Sequence, residues 1–296
     1  MIKIKTAIKE ALSDPLEDHF CELVRSNWGI EKVDDKSPTV LFGFFETPDD
    51  AAAEYGELRK AFPALPESYD TEAVNDADWQ NEYKKYLKPW DCRGLHWVPV
   101  WMKGEYRVPE SDKALYFDAG MAFGTGDHPT TRLCAMALID ALADNPKDKS
   151  VIDAGCGSGI LAISAYLLGA RKVFGFDRDP EAVKVSIENA EFNAIPKGAI
   201  EFVHSGIEMA LALPIWALAG RKADILLANI ISDVLCIYAD NLIDAVNPGG
   251  RLILSGILAA ENDEVKECFA SRCKRAKSIE SAVMGEWSSL VIEMEK

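Results

Sequence analysis

Short apolar runs alternate with helix-periodic segments from about residue 112 to the end of the chain. Such runs are expected for the strands of a parallel sheet, because these strands are buried on both faces beneath the intervening helices. The predicted strands are SVIDAG, KVFGFD, AIEFVH, ADILLAN, GRLILSG and the closing SSLVIEME. The pattern therefore predicts an α/β fold with a doubly wound sheet.

The first 75 residues have strand and helix signals in the order β-α-β-β-α-β. MIKIKT and TVLFGFFET alternate as strands do, a weaker strand is predicted near Val33, and DTEAV is a last one. Ser13 and Asp14 cap the first predicted helix, Gly29 stops it, and PDDAAAEYGELRKAF forms the second. This order predicts a small α+β domain of the ferredoxin-like type, with both helices on one face of the sheet.

Prolines and polar residues separate these two parts. Pro63 and Pro66 mark a linker, and DADWQNEYKKYL is predicted as a connecting helix. We therefore predict an α+β domain over residues 1–65, a linker and connecting helix over 66–88, and the large domain over 89–296. A group of tryptophans lies between residues 79 and 101. Such an aromatic cluster can hold a cation, but we interpret it as a seam between packed elements. Its members are Trp79, Trp90, Trp97 and Trp101.

The net charge of the chain limits the kinds of molecule that it is expected to bind. The chain has 32 basic and 48 acidic residues and a net charge of −16, and residues 1–65 contain 8 basic and 13 acidic residues, a net charge of −5. Because affinity for a phosphate backbone comes from Lys and Arg, we expect no direct nucleic-acid binding. The acidic surface suits a basic partner or simply maintains solubility.

Cysteine usage and hydropathy indicate the compartment. Seven cysteines without a C-x-x-C pair indicate reduced thiols, and the four histidines have no ligand spacing, so we expect no metal. The apolar stretches are too short to span a bilayer, and the charged start MIKIKTAIKEALSDP lacks the apolar segment of a signal peptide. We expect a cytoplasmic protein that does not associate with membranes.

The stretch VIDAGCGSGILAISAYLLGA, residues 151–170, contains the main binding motif. A strand ends at Asp153, and three alternating glycines (Gly155, Gly157, Gly159) precede a helix. Glycines let a ligand approach bare main chain, and the start of the helix offers unpaired N–H groups. The spacing differs from the dinucleotide pattern and from the phosphate loop, which disfavours a nicotinamide oxidoreductase. Cys156 is predicted as small filler, and Ser158 lacks the G-x-S-x-G frame of a nucleophile.

Asp177 follows the next strand, 22 residues after Gly155. A carboxylate there can accept hydrogen bonds from both hydroxyls of a ribose. The alternative role, a helix cap, is better filled by Asp179, which stands directly before Pro180. Asp177 is therefore left for a ligand, and the motif predicts a cofactor that contains a nucleoside.

Together these motifs resemble class I S-adenosylmethionine-dependent methyltransferases over roughly residues 110–296. The resemblance implies a seven-stranded, mostly parallel sheet with the last strand antiparallel, and S-adenosyl-L-methionine as cofactor. In AFGTGDHPTT, Gly124 and Gly126 form a loop, Pro129 starts a helix, and Thr130 and Thr131 fall in its first turn. That turn suits the carboxylate of the cofactor's methionine part. We predict that the helix buries a stripe of Leu133, Met136, Ala137 and Leu142.

The motifs AFGTGDHPTT, VIDAGCGSGILAISA, ADILLANII and LSGILA, in this order, resemble the ribosomal protein L11 methyltransferase family, as do DWQNEYKKYLKPW and the small domain before it. The match spans nearly the whole chain. It implies that the positions touching the cofactor are Thr131, Gly155, Asp177 and Asn229, with Thr130 and Gly157 beside them. Asp127 departs from the threonine common in the family and adds negative charge near the site.

Asn229 ends the strand ADILLAN, at the rim where parallel sheets bind ligands. Other amino-group methyltransferases have Asn-Pro-Pro-Tyr there, and the asparagine orients a nitrogen acceptor; this chain has Asn-Ile-Ile-Ser, which suggests a less constrained acceptor site. The alternative is a turn residue at a strand end. We assign no general base, because burial of a lysine amine lowers its pKa.

The resemblance implies a protein N-methyltransferase that acts on lysine side-chain or N-terminal amino groups of ribosomal protein L11. The small domain would dock this basic protein, and a hinge at the linker would bring several amines to one site. Two alternatives stay open: a lysine methyltransferase of another protein, such as an electron-transfer flavoprotein subunit, and a non-catalytic cofactor-binding assembly factor.

Overall fold

A computed structural model of the protein describes residues 2–22, 27–32, 37–73, 87–118, 126–212 and 222–296. The chain divides into two compact units, Met1–Tyr86 and Leu87–Lys296. In the described part of the chain, no helix combines the length and apolarity that crossing a bilayer requires.

The first unit has the predicted β-α-β-β-α-β order. Its elements are β1 (Ile2–Ile8), α1 (Ser13–Glu22), β2 (Trp28–Glu31), β3 (Thr39–Phe45), α2 (Pro48–Ala61) and β4 (Asp70–Ala73). Over the described residues these strands form an antiparallel sheet in the order β2-β3-β1-β4. The ferredoxin-like prediction is therefore confirmed.

Strand alternation builds the core of this unit. Ile4 and Leu41 point to one face of the sheet, where they are buried with Leu16 of α1 and with Tyr55 and Leu58 of α2. Because side chains alternate along a strand, the same pattern leaves the residues between them on the other face.

One prediction in this unit is wrong in detail. Gly29 does not stop α1 but lies inside β2, opposite Phe42 of β3. A Cβ at position 29 would come within 2.5 Å of the Phe42 ring, so the ring occupies the space that a side chain would need. The weaker strand is thus Trp28–Glu31, and Val33 lies outside the described residues.

The strand β4 also changes the predicted linker. It pairs with β1, with Ile2 opposite Ala73, and Leu65 belongs to the buried core of the unit. The small domain therefore extends to at least residue 73, and the linker that we predict begins after it rather than at residue 66. The connecting helix over residues 76–87 lies almost entirely outside the described residues.

The second unit contains a small sheet and a large one. The small sheet comprises β5 (Trp90–Cys92), β6 (Leu95–Pro99) and β7 (Lys113–Phe117). The large sheet is built from β8 (Ser150–Ala154), β9 (Lys172–Asp177), β10 (Ile200–His204), β11 (Ala223–Asn229), β12 (Val246–Leu258), β13 (Ala276–Met284) and β14 (Trp287–Met294). The helices are α3 (Pro129–Leu142), α4 (Ile160–Leu167), α5 (Pro180–Phe192), α6 (Ile207–Ala212), α7 (Ser232–Ile237), α8 (Ala239–Asp244) and α9 (Asn262–Arg272).

The large sheet confirms the predicted fold class. Within the described ranges its seven strands have the order β10-β9-β8-β11-β12-β14-β13. Strands β8 to β12 are parallel, and β14 runs antiparallel between β12 and β13. All six strands that the apolar runs predicted are present. The strand β13 was not among them because its residues are half-buried or exposed, so its sequence has no apolar run.

The helix α3 begins at Pro129, as predicted, but the predicted buried stripe is only partly right. Leu133 and Leu142 are buried, whereas Met136 is exposed and Ala137 is only half-buried. The buried face instead includes Cys134, Ala135, Leu138 and Ile139. A helix that starts at Pro129 turns position 136 away from the sheet, which the periodicity alone did not decide.

The tryptophan cluster forms a seam within this unit. Trp90 and Trp97 stack at 3.8 Å between ring centroids, with 5° between their planes. The indole N–H of Trp97 donates to Oγ of Ser164 on α4 over 3.0 Å. A cation also takes part, because the Arg132 guanidinium lies 5.0 Å from the Trp90 ring centroid. Trp79 lies outside the described residues.

We expect Trp97→Phe to lower the free energy of unfolding by about 1–3 kcal/mol, because Trp97 is fully buried and the change removes its hydrogen bond to Ser164 and part of the stack. Urea denaturation measures the effect. The half-buried Trp101 offers a matched control, and Trp101→Phe should cost less. An equal loss in both variants would contradict the seam.

Candidate cofactor and acceptor site

The glycine turn after β8 has the backbone conformations that only glycine adopts easily. Gly155, Gly157 and Gly159 have φ of 70°, 53° and 75°. A Cβ at Gly155 would lie 2.7 Å from Cγ2 of Ile230. The N–H groups of Gly155 and Cys156 both donate to the carbonyl of Phe176, at 2.9 Å each, which ties the turn to β9.

Asp177 connects the ends of two neighbouring strands. Its Oδ2 accepts from the N–H of Gly157 and its Oδ1 from the N–H of Asp179, both at 2.9 Å. A carboxylate has about four acceptor positions, so both oxygens can accept a further bond from a ligand. Asp179 caps α5 through Glu181 N–H, as the sequence predicted.

A histidine caps the helix α3. Nδ1 of His128 accepts from the N–H of Thr130 at 3.4 Å and lies 2.8 Å from its hydroxyl oxygen. Burial lowers the pKa of His128, which favours the neutral ring that this acceptor role needs. Histidine is not among the usual capping residues, so the sequence alone did not predict this cap. Thr130 and Thr131 are fully buried in the first turn.

Asn229 has an unpaired buried oxygen. Its Nδ2 donates to Oγ1 of Thr131 over a long 3.5 Å, and its Oδ1 has no hydrogen-bond partner among the described residues. A buried acceptor without a donor costs about 1–3 kcal/mol, so such a group in a folded protein calls for an explanation. A ligand N–H or O–H group beside Oδ1 would supply the missing donor.

The sheet order explains why these residues meet. The strands β9, β8 and β11 are parallel neighbours, so their carboxyl ends bring Asp177, the glycine turn and Asn229 to one edge. Asn229 is opposite Ser255 of β12. Gly256, with φ of 83°, follows, and a Cβ there would lie 2.5 Å from the carbonyl oxygen of Ile230. Glycine at 256 therefore lets β12 pass close to the main chain of Ile230, the residue after Asn229.

A buried carboxyl group lies beneath the turn. Asp153 is 1% exposed and its Oδ2 accepts from the N–H of Ala162 at 3.0 Å. Burial raises its pKa to about 7, against the opposing effect of that hydrogen bond, and the charge of Asp177 adds to the rise. The sequence identifies Asp153 only as the end of a strand. Its burial depends on the packing of α4 over β8, which the sequence alone does not give.

The remaining predicted features have structural explanations. Arg132 Nη1 lies 3.6 Å from the Asp127 carboxylate, which offsets the extra negative charge noted at that position. Cys156 is buried and its thiol pKa lies well above its ordinary value because of burial, so the thiol does not suit a nucleophile. Ser158 is also fully buried. Within the described ranges, no group of His, Cys, Asp and Glu side chains could hold a metal ion.

The arrangement therefore fits a nucleoside-type cofactor with an amine beside it. A side chain at position 155 would collide with Ile230, Asp177 can accept further bonds, and Asn229 Oδ1 has no donor among the described residues. The first turn of α3 adds the positive end of a helix dipole.

Comparisons with known proteins point to one family. The model of the family "Ribosomal protein L11 methyltransferase (PrmA)" matches residues 7–295. A ribosomal protein L11 methyltransferase from Pseudomonas fluorescens strain SBW25 is 36% identical over 286 residues, which cover 91% of this chain and 91% of that protein. One from Alkaliphilus oremlandii strain OhILAs is 31% identical over 293 residues, covering 95% and 88%.

A solved structure agrees with the sequence comparisons. The crystal structure of a ribosomal protein L11 methylase from Lactobacillus delbrueckii subsp. bulgaricus has a TM-score of 0.58 and 29% sequence identity. The match covers 70% of this chain and 99% of that chain.

We expect Asp153→Asn to flatten the pH dependence of stability. Because the pKa of Asp153 is raised from 3.8 to about 7 in the folded state, its contribution to stability is fully present below about pH 4. That contribution is lost as the pH rises through about 7. Between pH 5 and pH 8 the wild type should lose about 2–3 kcal/mol relative to the variant, whose amide oxygen can still accept from Ala162. Urea denaturation at several pH values measures this, and parallel curves would contradict the assignment.

Proposed function

The chain belongs to the ribosomal protein L11 methyltransferase family, and from that premise we propose that it transfers methyl groups from S-adenosyl-L-methionine to lysine side-chain or N-terminal amino groups of ribosomal protein L11. Membership of this family makes the protein a methyltransferase. The cofactor, the type of amine and the target protein are the parts that we propose. The observation that supports an amine acceptor most directly is the buried, unpaired Oδ1 of Asn229, and the family and the relatives' names support the target protein.

We propose that three elements of the site hold the cofactor, which supplies an activated methyl group on a sulfonium when bound. The main chain at Gly155 and Gly157 would take the nucleoside part, and Asp177 would accept from the ribose hydroxyls. Thr130 and Thr131 at the start of α3 would hold the carboxylate. By helix geometry the N–H of Thr131 has no intrahelical acceptor, whereas that of Thr130 already donates to His128, and the dipole favours negative charge there.

Asn229 would orient the acceptor amine. An amine N–H can donate to Oδ1, which turns the nitrogen lone pair in a defined direction and gives the buried oxygen its missing partner. A lysine amine must be neutral to react, and burial in an apolar pocket lowers its pKa from about 10.4. Positioning of this kind can contribute ~7–11 kcal/mol, so no general base is assigned.

The acidic chain suits the proposed target. The net charge is −16, and the first 65 residues alone carry −5. Opposite charge steers a basic protein toward such a surface and raises the association rate. We propose that the small domain docks ribosomal protein L11, the protein that the relatives' names specify. The reaction would take place in the cytoplasm.

Intact-mass spectrometry of unmodified L11, incubated with the protein and S-adenosyl-L-methionine, tests the proposal. We expect steps of one methyl mass on L11, and a loss of cofactor affinity of about tenfold or more in Asp177→Ala, because charge-assisted hydrogen bonds are removed. Asp179→Ala is the matched control, since it removes a neighbouring carboxylate that only caps α5. Calorimetry measures the cofactor affinity.

Each failure of this experiment has a separate meaning. No methylation of L11 with intact cofactor binding would move the search to another protein, such as an electron-transfer flavoprotein subunit. Cofactor binding without transfer to any amine would favour an assembly factor. Asp177→Ala that binds the cofactor as the wild type does would refute the assignment of Asp177.

We expect Asn229→Ala to lower kcat by about 10²–10³, the range seen when a positioned hydrogen-bonding group is removed from an active site. The free protein should not lose stability, because the change removes a buried oxygen that has no partner. Asn247→Ala is the matched control: its amide donates to Asp224 Oδ1 at 2.9 Å, so the free protein should lose stability while kcat is kept. The reverse pattern would contradict the role of Asn229.

A further inference from the structure

The helix α5 has polar residues on the face that packs against the sheet. Ser186, Asn189 and Asn193 are spaced by three and four residues and therefore share one side of the helix. Ser186 is fully buried and Asn189 is 1% exposed. Such positions normally hold apolar side chains, so the bonds that these three residues make indicate what they do.

Ser186 holds the middle of the glycine turn. Its hydroxyl donates to the carbonyl of Gly157 at 2.8 Å, while the N–H of the same glycine donates to Asp177. A Cβ at Gly159 would lie 2.9 Å from Oγ of Ser186, so the turn rests directly on this side chain. Gly157 is therefore fixed through both of its main-chain groups.

Asn189 holds the next peptide of the turn and a second segment. Its Nδ2 donates to the carbonyls of Ser158 and Asp118, at 2.8 and 2.9 Å, and its Oδ1 accepts from the N–H of Asp118 at 2.8 Å. Asp118 follows directly after β7. One buried amide thus connects the glycine turn to the end of the strand that leads toward α3.

Asn193 bonds the strand β7, as Asn189 bonds its end, but it does not bond the glycine turn. Its Oδ1 accepts from the N–H of Tyr116 at 2.8 Å, and its Nδ2 donates to the carbonyl of Tyr116 at 2.6 Å. The two asparagines therefore pair the open edge of β7 at alternate residues, as a neighbouring strand would. Only Asn189 also bonds the glycine turn, so Asn193 is a natural control.

We propose that Ser186 and Asn189 are positioning residues of the cofactor site, an inference that rests on the proposed function. Because a peptide is planar and trans, its C=O and N–H point in opposite directions. The bonds to the carbonyls of Gly157 and Ser158 thus fix the direction of the N–H groups of Ser158 and Gly159, the second of which donates to the carbonyl of Cys156 at 2.8 Å. Glycines lose more conformational freedom than other residues on ordering, so a turn held in advance binds its ligand more tightly.

Cofactor affinity in three variants tests the proposal. We expect the Kd for S-adenosyl-L-methionine, measured by calorimetry, to rise about fivefold in Ser186→Ala, which loses one hydrogen bond. It should rise about tenfold or more in Asn189→Ala and stay within about twofold in Asn193→Ala. The KM for the cofactor should follow the Kd while kcat stays near the wild-type value. If Asn189→Ala does not fold, Ser186→Ala decides, since it removes only the small hydroxyl group.

Hydrogen exchange separates this inference from the proposed function. In the free protein, the amides of Ser158 and Gly159 should exchange faster in Ser186→Ala and Asn189→Ala than in Asn193→Ala. Wild-type protein that does not bind S-adenosyl-L-methionine would refute the proposed function and with it the role in cofactor binding, whatever the exchange rates. Wild-type binding together with an unchanged Kd in Ser186→Ala and Asn189→Ala, or with an equal rise in Asn193→Ala, would overturn the inference alone.

Discussion

The hydrogen bond from the Gly157 N–H to the Asp177 carboxylate is the constraint on which the site depends. Together with the bonds from Gly155 and Cys156 to the carbonyl of Phe176, it joins the end of β8 to the end of β9, and it fixes a glycine that has no side chain of its own. The same glycine is bonded from the other side by Ser186. A binding surface made of main chain is thus held in place by side chains from two neighbouring elements.

Two buried asparagines near this turn differ in whether their polar atoms have hydrogen-bond partners. Asn189 uses both ends of its amide, and such a fully bonded group makes the surrounding structure rigid. Asn229 differs, because its oxygen is buried without a donor among the described residues and its Nδ2 makes only a long contact. The first arrangement suits a support, and the second suits a contact to something that binds and leaves.

The burial of Asp153 under the same turn changes the pKa of its carboxyl group. The carboxyl of Asp153 lies beneath the turn, where burial and the charge of Asp177 both raise its pKa to about 7. A second full negative charge there would oppose the Asp177 carboxylate, which is half-exposed and bonded to two N–H groups. Asp153 and Asp177 lie at the ends of adjacent strands, but they differ in burial and in the number of N–H groups that they accept from.

Much of the fold and of the candidate site could be predicted from the sequence, because those features depend on local chemistry. Strand periodicity, the glycine spacing and Asp179 before Pro180 each specify the backbone within a few residues, and the motifs were sufficient to recognise the family. The sequence was weaker where a segment lacks such a signal. The edge strand β13 has no apolar run, and Gly29 is in a strand because the ring of Phe42 occupies its side-chain space.

Only the tertiary structure decided which groups meet. Asn229 and Thr131 are 98 residues apart along the chain, and Ser186 of α5 bonds Gly157, which lies 29 residues before it. The face of α3 that is buried and the raised pKa of Asp153 likewise depend on neighbours distant in sequence. Long-range packing sets burial and partner choice, and no pattern within one segment contains that information.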